Sequence, residues 1–78
     1  MSLSPFQVGH RYVVKCDFTA LRDRFVRGTV LTYSSSAWSR YDGITGYFFL
    51  DEEARSRVWD IEDGADLSGW VDFFDPLP

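Results

Sequence analysis

Residues 46–51 read GYFFLD, and both sides of that run are apolar. Side chains alternate along an extended chain, so Tyr47 and Phe49 point one way and Phe48 and Leu50 the other. A strand of that pattern belongs in the middle of a sheet with cover on both faces. The other elements must therefore supply neighbours on either side. The chain has only 78 residues in which to do so. A domain this small buries only about 60% of its unfolded surface, and it needs large side chains in its core. Three Trp, four Tyr and seven Phe meet that need, since each buries about 150–250 Å².

The neighbouring segments are short and punctuated. HRYVVKCDF alternates, with Tyr12, Val14, Cys16 and Phe18 on one side, which predicts a half-buried strand over 10–18. TALRDRFVRG is polar and short, and is read as a loop or arm with Phe25 tucked back into the core. TVLTYS predicts a strand over 29–34. RVWDIED predicts one over 57–62. Between them, Asp42-Gly43 is a strong hairpin signal. If it forms a two-residue hairpin, Tyr41 faces Ile44 and Trp38 comes opposite Tyr47. The competing arrangement leaves 35–45 as a long loop and pairs 29–34 directly with 46–51.

At the C-terminus, Leu67, Trp70, Val71 and Phe74 stand at helical spacing. Asp63 or Asp66 is placed to cap a short helix near 65–74, and Pro76 to stop it. Gly69 within it weakens the helix by up to about 1 kcal/mol relative to Ala. The expected fold is mainly β: a single domain over 1–78, built as a small SH3-like antiparallel barrel of four to five strands with a short C-terminal helix. Curling a small sheet removes its vulnerable edges.

The inventory of chemistry excludes more than it suggests. His10 is the only histidine and Cys16 the only thiol. On one strand they stand roughly 20 Å apart at about 3.3 Å per residue, too far for a nucleophile–base pair. Cys16 is expected as a small core residue and His10 at the surface. Zinc needs about four ligands from Cys, His or carboxylates. In DIEDGADLSGWVD the EF-hand positions fail, because Gly64 and Ala65 fall where a ligand and the glycine belong. No enzyme activity, cofactor or metal is expected.

A lone cysteine cannot form an internal disulfide, which fits a reducing compartment. No apolar run reaches the roughly 18 residues of a membrane span, and MSLSPFQVGH lacks the charged and apolar regions of a signal peptide, so none is expected. A soluble cytoplasmic protein is expected. Net charge is −4, divided as +3 over residues 1–38 and −7 over 39–78. Nucleic acid is disfavoured, because its backbone demands a clustered positive surface.

What remains is surface recognition. Trp38, Arg40 and Tyr41 in the 35–45 segment combine large area with polar handles, as interface hot spots do. Arg22, Arg24 and Arg27 either pair with the acidic half or meet an anionic partner. The leading expectation is a non-enzymatic module that binds a protein or peptide through the aromatic segment. The alternatives are an acidic inhibitor or immunity-type protein that neutralises a basic partner, and a self-associating subunit such as a homodimer.

The runs RYVVKCDF (11–18), FVRGTVLTY (25–33), SRYDG (39–43), GYFFLD (46–51), WDIED (59–63) and WVDFF (70–74) together resemble a family of small uncharacterised bacterial proteins of about this length. The resemblance spans most of the chain and implies a single bacterial domain with no assigned activity. The similarity to SH3 domains is architectural. The ALYDY-type run and the paired tryptophans that line a proline-rich groove are missing.

Overall fold

A computed structural model describes residues 5–62, 64–65 and 67–78. The strands are β1 (Arg11–Val14), β2 (Phe18–Thr19), β3 (Arg24–Phe25), β4 (Val30–Ser39), β5 (Ile44–Asp51), β6 (Ser56–Glu62) and β7 (Phe74–Pro76). Five of them form one antiparallel sheet in the order β6-β5-β4-β1-β7, and β2 and β3 form a separate two-stranded ribbon.

GYFFLD lies inside β5, between β4 and β6, as its two apolar sides require. Its cover is unequal. Tyr47 and Phe49 are buried at 2% and 0%, whereas Phe48 is half-buried and Leu50 is 41% exposed. The expectation of full cover on both sides is corrected: the second side of β5 is only partly covered, with Leu50 left exposed.

The core forms around Phe6. Its ring meets those of Tyr12, Tyr33, Tyr47, Phe49, Trp59, Trp70 and Phe74 at centroid distances of 4.9–5.8 Å. Most of these contacts are edge-to-face, the arrangement that the aromatic quadrupole favours. The ribbon adds Phe18 stacked on Phe25 at 4.8 Å, with Phe18 also against Phe73.

The sheet does not close into the expected SH3-like barrel; β6 and β7 remain its two edges. Two local features oppose closure. β7 is three residues long and ends in Pro76, which has no N–H to donate. The outer edge of β6 is taken by Asp23, whose carboxylate accepts from the Val58 backbone N–H at 3.3 Å. The space between the edges is filled by rings, with Trp59 against Phe74 at 5.2 Å.

Three other expectations change. The strand at 10–18 ends at Val14 and resumes at Phe18, and Cys16 is exposed, with its Sγ 3.8 Å from the Asp72 carbonyl. The helix near 65–74 is instead a 3-10 turn over Leu67–Asp72, followed at once by β7. The bond from Phe73 N–H to Trp70 C=O, 3.0 Å, has the tight three-residue spacing of such a turn. Its helical stripe is broken accordingly: Val71 is 47% exposed, while Phe74 reaches the core from β7. Asp63 and Asp66, expected as caps, lie outside the described residues.

Candidate functional site

β4 and β5 form a long hairpin whose far end stands clear of the aromatic core. They pair from Leu31 with Asp51 to Ser39 with Ile44. The connection is a four-residue loop over 40–43. Asp42-Gly43 supplies its last two residues, with Gly43 at φ 64°. The Gly43 N–H donates to the Ser39 carbonyl at 2.9 Å, and the Ser39 hydroxyl donates to Asp42 at 3.0 Å. These bonds close the loop two residues wider than a minimal hairpin. The segment 35–45 is therefore neither a two-residue hairpin nor a long loop.

A bulge sets which residues face each other beyond the core. The ladder shifts between Tyr33 and Ser35: Tyr33 pairs with Phe49, then Ser35 with Phe48. Ser34 is the extra residue. A slip of one residue turns every later side chain to the other face. Without the bulge the register of Tyr33 with Phe49 would bring Trp38 opposite Ile44; with it Trp38 lies opposite Thr45, and Ala37 opposite Gly46, while the wider loop is why its partner is not Tyr47.

Trp38, Arg40 and Tyr41 all fall at this end of the hairpin. Trp38 is 62% exposed and Tyr41 92%. The Arg40 guanidinium carbon lies 5.8 Å from the centre of the Tyr41 ring, within reach of a cation–π contact.

Beside them the back of the sheet holds a groove of about 350 Å³. One side is the ribbon tip, with Leu21 and Arg22. The other is the hairpin end, with Trp38, Ser39 and Asp42. Ile44, Gly46, Phe48 and Asp60 lie between. The ribbon reaches this face by curling round the β6 edge. Its base rings Phe18 and Phe25 sit in the core, Asp23 bonds the outer edge at Val58, and Arg22 arrives on the back.

Arg22 and Asp60 are the electrostatic centre of the groove. Arg22 Nε and Nη2 donate to the two Asp60 oxygens, both at 2.7 Å. The Asp60 side chain is only 1% exposed. The bond to Asp60, and then its charge, hold the Arg22 guanidinium above the usual arginine value, with Asp42 adding a further attraction. Gly46 makes room for the pair. A Cβ there would sit 3.1 Å from Asp60 Oδ1 and 3.2 Å from Arg22 Nη2. Nearby, Arg57 links Asp23 at 3.0 Å to Asp51 at 3.3 Å. Two of these links tie the basic first half of the chain to the acidic second half.

Sequence reasoning missed Asp60, Gly46 and Phe6. Asp60 interrupts the apolar alternation of RVWDIED on the same side as Val58, and that was its available signal. Arg24 and Arg27 do not join the groove. Their backbone N–H groups bond Asp23 and Asp17 respectively. His10 is exposed and outside the groove. Among the described residues no three His, Cys, Asp or Glu side chains group as metal ligands, and no helix is long and apolar enough to cross a membrane.

No family model and no curated protein matches the chain. Among solved structures it is similar to an integron cassette protein from the mobile metagenome of Vibrio cholerae. The TM-score is 0.75 at 18% identity, over 94% of this chain and 87% of that one. At that identity the likeness extends to the fold, and the fold is shared with a small bacterial protein.

Proposed function

We propose that the chain is a non-enzymatic interaction module that binds an extended segment of a partner protein through the end of its β4–β5 hairpin, with Trp38, Arg40 and Tyr41 as contact residues. The observation that carries this reading is the exposure of two large aromatics, Trp38 at 62% and Tyr41 at 92%, at the end of one hairpin. Most other aromatics are drawn into the core around Phe6. Trp38 is held on β4 and Tyr41 in the tight loop that follows, so both present contact area at one end of the hairpin. The adjoining groove extends the surface, and its apolar residues Ile44 and Phe48 suit a side chain of the bound segment. A cytoplasmic location accompanies the reading, because Cys16 is an exposed free thiol.

The test is capture of partners from a bacterial lysate by the wild-type chain and by a Trp38→Ala/Tyr41→Ala variant, with thermal melts of both. Loss of the captured species with a melt changed by no more than about 0.5 kcal/mol, the usual range for surface substitutions, supports the reading. Unchanged capture, or a collapsed melt, removes it.

A further inference from the structure

Asp60 is the buried charged side chain among the described residues. Burying a carboxylate is unfavourable unless a cation meets it with good geometry. Here the cation comes from outside. Arg22 is 62% exposed, and its neighbour Leu21 is 61% exposed at the tip of a ribbon whose strands are two residues each. The carboxylate thus belongs to the sheet, and the guanidinium reaches it from the far wall of the groove. Asp42 lines the same groove and adds a second negative charge.

We infer that this groove is a recognition site for an arginine side chain of a partner peptide, and that Arg22 fills it in cis as an exchangeable stand-in. The inference deepens the proposed function and rests on it, since it takes the hairpin end as the binding face.

Charge complementarity names the occupant. A group without positive charge would leave Asp60 buried and unpaired, so the site rejects it. A guanidinium from elsewhere can replace that of Arg22 bond for bond, so the carboxylate keeps a partner in both states. Geometry favours arginine over lysine. Two parallel N–H donors match the two oxygens of Asp60, and the missing side chain of Gly46 leaves space for a planar group at 3.2 Å from the Cβ position. The stem of an incoming arginine would lie along Phe48 and Ile44, and its backbone would run toward Trp38.

The experiment removes the stand-in. Binding of N-acetyl-arginine amide is measured by titration for wild type and Arg22→Ala, with N-acetyl-citrulline amide as the neutral control of the same shape. The expected result is affinity at least about tenfold higher in the variant, because a site filled in cis is available only in the fraction of molecules where it is open. The arginine compound should raise the melting temperature of Arg22→Ala, and the citrulline compound should not. Adding Asp60→Asn to Arg22→Ala should abolish the response. If Arg22→Ala does not fold, Arg22→Gln is measured in the same way, and failure of that variant to fold with the arginine compound present counts against the inference. Equal affinity in wild type and variant, an equal response to citrulline, or a response that survives Asp60→Asn overturns it. Tyr41→Ala, which lies outside the groove, separates the two readings. An arginine response kept in the Arg22→Ala background while Tyr41→Ala has no effect on partner capture removes only the hairpin-end reading. A lost arginine response with Tyr41-dependent capture intact removes only this one.

Discussion

Arg22 reaches across 38 positions of sequence to hold both oxygens of Asp60 at 2.7 Å. This bidentate pair joins the tip of the β2–β3 ribbon to the back of the sheet. It forms directly over Gly46, in the strand beside Asp60. Three residues from separate elements therefore depend on one another.

Removing one partner and removing both should have different consequences. Arg22→Ala leaves a buried carboxylate without a cation, whereas Arg22→Ala/Asp60→Ala removes the charge as well. The double variant is expected to melt above the single one by on the order of five degrees, because an uncompensated buried charge is worse than none. Calorimetric melts of both proteins at neutral pH check the order.

Gly46→Ala should destabilise the fold by about 1–3 kcal/mol, the usual effect of forcing a methyl group into filled space. Its Cβ would press on Asp60, Arg22 and Val58 at 3.1–3.2 Å. In the Arg22→Ala background that penalty should shrink, since one of the three crowded groups is gone. A double-mutant cycle in urea measures the coupling.

Phe6 is the hub of the aromatic core and is 4% exposed. Phe6→Ala is expected to remove about 3–5 kcal/mol, a large share of what a domain of this size possesses. Urea midpoints with unchanged slope would report the loss. A near-neutral effect would mean that the segment before β1 does not anchor the core.

Asp51 should shape the acid side of the stability curve. The Arg55 backbone N–H is the largest influence holding its carboxyl below the usual range. The Glu53 N–H and the Arg57 guanidinium act in the same direction, and partial burial opposes them. The folded protein therefore holds this proton more weakly than the unfolded chain does. The resulting stability is complete above the ordinary aspartate value of about 4 and disappears as pH falls through the depressed folded value. Melts of wild type and Asp51→Asn should differ most near neutrality and converge as pH is lowered from roughly 5 to 2. A gap that stays constant would place the effect of Asp51 elsewhere.

Local pattern was enough for the elements whose signal is local. Alternation placed Tyr12 and Val14 in the core, the two apolar sides of GYFFLD put β5 inside the sheet, and Asp42-Gly43 marked the reversal between β4 and β5. Aromatic density implied a ring-packed core. Three outcomes depended on contacts between distant residues. The Ser34 bulge decided the face on which Trp38 lies, because a single added residue shifts every later pairing by one and turns the later β4 side chains to the other face. Asp23 at the β6 edge and Pro76 in β7 kept the sheet open, since each leaves an edge without the backbone groups a neighbouring strand would need. The groove exists because Arg22 and Asp60 meet across the sheet edge. Neither residue carries a local signal of its partner, and a charge pair separated by 38 positions is created only when the chain folds.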